Sequence, residues 1–229
     1  MAEGQRKVNW FAIWVSVAVV VALVLVAVLV VSLNNTSADP EPGQTPSASM
    51  LDAETGAILV GEGDSSLGTY IDFMCPICNQ FEQVFGEEIQ GLVDDGTITL
   101  GIHPISILDS KSQGTDYSTR SANAMYCVAV ADAEASVPFM NALFANQPSE
   151  GSTGLTDEQL LQIADTVGVT GIESCVNDGV YSDYVTAMTE QTPVQPGAEG
   201  VGTPTITVNG EVIANSSLPE PGQLATLFE

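Results

Sequence analysis

Cys75 and Cys78 are separated by two residues in the run Cys75-Pro76-Ile77-Cys78, a spacing that lets two sulfurs exchange between dithiol and disulfide. The segment before the pair is β-prone and the segment after it has helical periodicity, so the cysteines fall at a strand-to-helix junction. A helix start carries unpaired N–H groups and the positive end of the helix dipole, which favour the thiolate of Cys75. Pro76 suits the first helical turn, where no N–H is required, and Cys78 falls on the next turn, facing inward. The chemistry available is thiol–disulfide exchange: an incoming thiolate attacks the Cys75 sulfur of the oxidised pair, a mixed disulfide forms, Cys78 is freed, and a second thiol resolves the complex. A structural zinc site is the competing use of Cys-x-x-Cys and normally takes a second close pair of ligands. None exists here, because Cys127 and Cys175 are far apart in sequence and His103 is the single histidine. A bridge across two residues is also too strained and reducible to serve as a staple.

Three further features carry possible chemistry. Cys127 lies in a helical stretch and Cys175 between two helical pieces; in an oxidising compartment they are expected to bond to each other. In Gly202-Thr203-Pro204-Thr205 the proline directly precedes a strand, where it serves equally as an ordinary strand entry or as a turn that leaves backbone exposed. His103 ends the strand parallel to the one that leads into Cys75, so it is placed to border the site, although a lone histidine is more often structural.

The elements that must position these groups follow from the apolar spacing. Residues 57–60 and 67–73 read as strands bounded by Gly, Asp and Ser. A helix follows the cysteines, with Phe81, Val84, Phe85, Ile89, Leu92 and Val93 on one face, and ends at Asp94-Asp95-Gly96. Ile98, Leu100 and Ile102 alternate with small or polar residues until Pro104 stops the strand, which completes a parallel βαβ unit. The stretch 118–190 is helical in several pieces, one opened by a capping box at Thr156 and Gln159 with Leu160, Leu161, Ala164 and Val167 inward. Strands at 205–208 and 211–214 flank Asn209-Gly210, a hairpin signal, and a closing helix spans 221–228. The fold class is α/β: a βαβ-ββα sheet with an inserted helical layer.

Charge and hydropathy place this domain, residues 51–229, behind an anchor and a tether. Residues 8–33 hold no charge, and the apolar run 10–33 is long enough to cross a bilayer as one transmembrane helix and too long for an ordinary cleaved signal. Arg6 and Lys7 precede it, so residues 1–9 are expected in the cytoplasm and the domain outside. Residues 34–50, rich in Pro, Gly, Ser and Thr, read as a flexible linker. All but one of the 29 acidic residues, and only two of the four basic ones, follow the span. Such a surface repels polyanions, which excludes nucleic acid as a partner.

The run Asp72-Phe73-Met74-Cys75-Pro76-Ile77-Cys78, the helical stretch and Gly202-Thr203-Pro204-Thr205 together resemble the DsbA-like branch of the thioredoxin superfamily, across residues 57–229. The anchor and the pair Cys127 and Cys175 resemble its actinobacterial, membrane-anchored members. The resemblance implies a thioredoxin-like fold and a protein disulfide oxidoreductase with neither metal nor other cofactor. Cys75 would be the exposed nucleophile and Cys78 the buried resolving thiol, with Pro204 cis and Thr203 offering its backbone to the substrate chain. The implied partners are reduced secreted proteins and a membrane reoxidase of the DsbB or VKOR type, outside the cytoplasmic membrane. A reductase or isomerase is the alternative within this chemistry; a thioredoxin-like binding module or chaperone is the alternative outside it. Two positions depart from the family pattern. Thr69 stands where members often carry a buried acid, leaving Asp72 as the candidate for proton handling. Ile77 stands where strongly oxidising members carry His, so Pro76-Ile77 should stabilise the thiolate less and make the disulfide less oxidising. Replacing Ile77 by His is therefore expected to raise the reduction potential in equilibration with glutathione; an unchanged or lower value contradicts this reading.

Overall fold

The computed structural model describes Trp10 and residues 43–229 apart from Ala53. The expected membrane span, Trp10 apart, and the first part of the linker lie outside the described residues, among which no helix is long and apolar enough to cross a membrane. The chain divides into two units, Met1–Asp39 and Pro40–Glu229. The linker expected to end at residue 50 is fastened to the domain from Gly43 onward. The Gly43 N–H donates to the Val180 carbonyl at 3.1 Å, Pro46 is buried, and Leu59 N–H donates to the Met50 carbonyl at 2.7 Å.

Five strands form one sheet in the order β1-β3-β2-β4-β5, with β1 at Ile58–Val60, β2 at Ser65–Ile71, β3 at Ile98–Pro104, β4 at Thr205–Val208 and β5 at Glu211–Ile213. Helix α1, Pro76–Asp94, links β2 to β3, which pair in parallel from Ser65↔Ile98 to Ile71↔Pro104. Pro104, expected to stop the strand, ends it as its last paired residue. Asn209 and Gly210, both at positive φ, make the β4–β5 turn, and the Asn209 side chain also accepts from Ser66 N–H at 2.8 Å. Alternation gives the sheet two unlike faces. Leu67, Ile71, Leu100, Ile102 and Ile206 point into the core that contains Phe81, Phe85, Ile89 and Leu92 of α1. Val84, expected on that buried face, is 43% exposed, and Val93 is half-buried. The opposite sheet face presents Ser66, Gly68, Tyr70, Thr99, Gly101 and His103.

Helix α1 ends in a Schellman arrangement: Gly96, at φ 78°, donates to the Val93 carbonyl and Thr97 N–H to that of Leu92. The helical insertion comprises α2 (Tyr117–Ala131), α3 (Ser136–Ala145), α4 (Asp157–Thr166), α5 (Glu173–Asn177) and α6 (Ser182–Glu190). Helix α2 is buried on nearly every side, and Cys127 on it is bonded to Cys175 on α5. Asn123 reinforces that junction by donating to the Cys175 carbonyl at 3.3 Å and accepting from Tyr181 N–H at 2.8 Å. The capping box at Thr156 and Gln159 is formed in both directions, with Leu160 and Ala164 buried but Leu161 and Val167 only half-buried. The expected closing helix is a short 3-10 turn, Leu224–Phe228, because Gly222, at φ 86°, leaves the helical region just after the expected start at Pro221. Its start is held by the Glu88 carboxylate of α1, which accepts from Gly222 N–H at 2.9 Å and from Leu224 N–H.

The Cys127–Cys175 bridge closes a 48-residue loop. Changing both cysteines to Ala should lower unfolding free energy by about 2–4 kcal/mol in a urea titration through lost loop constraint; a loss of only a few tenths would place the stability of the insertion elsewhere.

Candidate functional site

Cys75 is the N-cap of α1, with extended backbone (φ −78°, ψ 116°) and no side-chain cap; expected to be exposed, it is instead buried, at 5% exposure, where the Thr203 carbonyl approaches its sulfur. The first turn contains no acidic residue to occupy the helix end, so its N–H groups are free to serve a sulfur. The Cys75 thiol is brought down to about 7, chiefly by its hydrogen bond with Cys78; the backbone N–H groups of Cys78 and Ile77 add to this, and burial and the Asp72 charge oppose it. Cys78 is fully buried and moves the opposite way, well above an ordinary thiol, because burial, its hydrogen bond with Cys75 and that neighbour's charge all disfavour its anion. The two sulfurs, both free thiols here, are thus strongly unequal.

The turn before β4 closes over them. Thr203-Pro204 is a cis peptide. The Cys75 thiol lies 3.5 Å from the Thr203 carbonyl, and Cys78 Sγ lies 2.9 Å from Thr203 Oγ1. Thr203 Oγ1 itself donates to the Tyr70 carbonyl at 3.2 Å, which leaves its lone pairs to accept from the Cys78 thiol. A Cys78 thiolate needs donors instead: the Asp72 backbone N–H supplies one, and the Thr203 hydroxyl supplies another on turning from Tyr70 to the sulfur. The Pro204 carbonyl is pinned by Asn215 at 2.9 Å and Gln195 at 3.0 Å.

Asp72 is completely buried, and its carboxylate accepts from Met74 N–H at 2.9 Å, Leu108 N–H at 2.9 Å and Ser118 Oγ at 2.7 Å. It therefore joins the redox loop, the segment after β3 and the first turn of α2. Burial outweighs these donors and lifts its pKa to about 6. Asp72 is close enough for its charge to raise the Cys75 pKa, whereas Thr69 directs a buried hydroxyl, without a hydrogen bond among the described residues, beneath the sheet.

Beside the pair, Ile77, Phe81, Val84, Phe85, Pro204 and Leu218 line a shallow groove of about 230 Å³ that contains no charged side chain. Ile77 is 56% exposed at its mouth. His103 lies elsewhere. It stacks on Tyr70 with ring centroids 3.9 Å apart, bonds the Thr55 carbonyl through Nδ1 and lines a cleft on the other sheet face. The expected pairing of Cys127 with Cys175 is present, away from the redox pair, leaving only two free cysteines.

Two positioning residues escaped the sequence reading. Gln147, just beyond α3, donates to the Phe73 carbonyl at 3.1 Å and the Cys75 carbonyl at 2.9 Å. Asn79 donates to Gln147 at 3.1 Å and to the Phe144 carbonyl at 3.0 Å, while Phe73 packs on Phe144. Neither amide belongs to a motif; only the tertiary fold brings them to the loop.

Because the folded-state pKa of Asp72, about 6, exceeds its ordinary 3.8, the folded protein keeps a proton that the unfolded chain has released between these values. Its stabilising contribution is present below about pH 4 and is lost as pH rises through 6. Unfolding free energy of the wild type relative to Asp72→Asn should therefore fall across this window, on the order of 3 kcal/mol at most. The same variant should lower the Cys75 pKa, read from thiolate absorbance; a higher pKa would remove Asp72 from the electrostatics of the pair.

Comparison with known proteins agrees with this geometry. A family model described as Thioredoxin (Thioredoxin_4) matches residues 54–224. Among solved structures, oxidised Mtb DsbA has 28% identity and a TM-score of 0.62, covering 75% of this chain and 97% of that one. Reduced DsbG from Mycobacterium tuberculosis has 28% identity and a TM-score of 0.60, covering 82% and 94%. MdbA, a thiol-disulfide oxidoreductase from Actinomyces oris, has 27% identity and a TM-score of 0.62, covering 81% and 92%. Among curated proteins, the serine/threonine-protein kinase PknE of Mycobacterium tuberculosis is 34% identical over 179 residues, 72% of this chain and 31% of the kinase. The chain thus spans about a third of that relative's length, and the kinase activity in its name is not carried over. The family match over most of the chain, together with these structures, establishes that the protein belongs to the thioredoxin family, as a DsbA-like member of the thioredoxin superfamily.

Proposed function

We propose that this protein introduces disulfide bonds into secreted or membrane proteins, with Cys75 as nucleophile and Cys78 as resolving thiol. The observation that carries the reading is the inequality of two buried thiols: Cys75, on an uncapped helix tip, is made acidic, and Cys78, fully shut off from water, is pushed upward. In the disulfide form, a client thiolate attacks Cys75 Sγ; the client–Cys75 bond forms, and Cys78 leaves as a thiolate that takes a hydrogen bond from Thr203. A second client thiolate then attacks the client sulfur. Cys75 leaves as a thiolate held by the first N–H groups of α1, and the client keeps the new disulfide. Two electrons pass to the Cys75/Cys78 pair, so a reoxidant of the quinone-linked DsbB or VKOR type is required.

The uncharged groove beside Pro204 supports unfolded polypeptide as the client. It offers apolar contact to many sequences, and the Thr203 carbonyl supplies a backbone acceptor next to the attacked sulfur. An uncleaved membrane helix at residues 10–33, with the N-terminus cytoplasmic and the domain outside, would hold the site near emerging chains and the reoxidant; this placement belongs to the proposal.

Cys78→Ala should trap a mixed disulfide between Cys75 and a reduced client, visible as a reducible high-mass band, and Cys75→Ser should abolish both the band and client oxidation. Full refolding activity in Cys75→Ser would instead indicate a binding module. Direction is tested by the steady-state redox form in cells: mostly disulfide for the proposed oxidase, mostly dithiol for a reductase or isomerase.

A further inference from the structure

The redox pair adjoins one end of the sheet and the core face is filled by α1, but the outer sheet face contains a cleft of about 390 Å³ that exchange chemistry does not use. This volume falls in the range of small-molecule sites. Its floor is Gly68 on β2 and Gly101 on β3, paired in register. Glycine is unfavourable inside strands and marks places where something must approach the backbone closely. A Cβ on Gly68 would fall 2.3 Å from Thr207 Oγ1, and Cβ atoms on Gly68 and Gly101 would lie 3.4 and 3.5 Å from His103 Nε2. The Thr207 hydroxyl and the His103 imidazole edge therefore take up the space these glycines leave, which brings Nε2 over the strand backbone at the base of the cleft.

The histidine is locked as an acceptor. Only 8% exposed, it stacks on Tyr70, and its Nδ1 sits 3.1 Å from the Thr55 carbonyl, which can only accept. The proton therefore resides on Nδ1, and Nε2 offers a lone pair with no hydrogen-bond partner among the described residues. Burial holds the ring neutral, with its pKa near 4. No Lys or Arg lines the cleft, so nothing there attracts an anion. Its single carboxylate, Asp52, already accepts from Glu54 and Thr55 N–H groups. Apolar Leu59 and Val212 and the hydroxyls of Thr99 and Thr207 complete the walls.

We propose that this cleft is a second ligand site, for a small, uncharged molecule whose N–H or O–H donates to His103 Nε2. Its occupancy reaches the redox pair through Tyr70. That residue's ring forms part of the cleft, and its carbonyl accepts from the Thr203 hydroxyl that contacts Cys78 Sγ. Binding itself is independent of the proposed oxidase reading; the link to Cys78 rests on it.

His103 is the only histidine, so its two ring nitrogens give one pair of signals in a 15N-histidine-labelled full chain prepared without a histidine tag. Indole, a planar N–H donor, should move the Nε2 signal saturably, with half-saturation below about 10 mM for a ligand of this size. 1-Methylindole, which lacks the donor, should bind at least tenfold more weakly. Gly101→Ala, whose added methyl meets only ordinary contacts at 3.4–3.5 Å, should weaken indole at least threefold. A shift that does not saturate, equal affinity for the two indoles, or unchanged affinity in Gly101→Ala overturns the site. At saturating indole the rate of Cys75 alkylation should change at least twofold. An unchanged rate with indole demonstrably bound overturns the coupling alone, and failure of the oxidase reading would leave the histidine titration untouched.

Discussion

An α-helix begins with N–H groups that its own backbone cannot satisfy, and in this protein the residue placed to receive them is a cysteine. Cys75 occupies the N-cap where Ser, Thr, Asp or Asn would normally sit, and the next residue is a proline that needs no acceptor. Unpaired donors and the helix dipole then act on a sulfur rather than on a hydroxyl or carboxylate. The remaining features of the site either hold that sulfur at the helix end or keep its partner out of water. Gln147 fixes the carbonyls on both sides of Met74, Asp72 ties the loop to two neighbouring segments, and the Thr203-Pro204 turn covers Cys78.

The helical insertion contributes to this placement through specific contacts. Ser118, in the first turn of α2, bonds Asp72, and Phe144 near the end of α3 packs on Phe73. Shifting α2 or α3 would move the redox loop directly. The Cys127–Cys175 bridge and the Asn123 bonds fasten α2 to the segment around α5, so the disulfide outside the site also helps to hold the surface on which the site is built. Electrostatics divide similarly. The chain is strongly acidic, yet the groove beside Pro204 is uncharged, an arrangement suited to apolar unfolded segments while the surrounding carboxylates keep the protein soluble.

Features governed by local periodicity were legible in the sequence: the parallel βαβ unit, the Asn209-Gly210 hairpin, the capping box at Thr156 and the helix starting at the cysteine pair. The misreadings came from tertiary context. Val84 satisfies the helical period but is exposed in the groove beside Pro204. Asp72 was identifiable as an acid near the pair, but its three donors come from Met74, Leu108 and Ser118, segments whose meeting no local pattern encodes. Gln147 was invisible for the same reason. His103 stands at the sheet edge expected of it, paired with Tyr70, and its side chain lies on the face away from the cysteines, an outcome set by strand alternation and by its stacking on Tyr70.

The central claim is that the hydrogen bond between two neighbouring cysteines, the burial of Cys78 and the helix end at Cys75 together make the two chemically unequal. The most direct measurement is the pH dependence of iodoacetamide alkylation of the reduced wild-type protein, resolved by cysteine with peptide mass spectrometry. The account predicts that Cys75 reacts first, with an inflection close to pH 7, while Cys78 remains protected throughout the neutral range. Equal labelling of both sites, or a Cys75 inflection at the value of an ordinary free thiol, about 8.5, would contradict it.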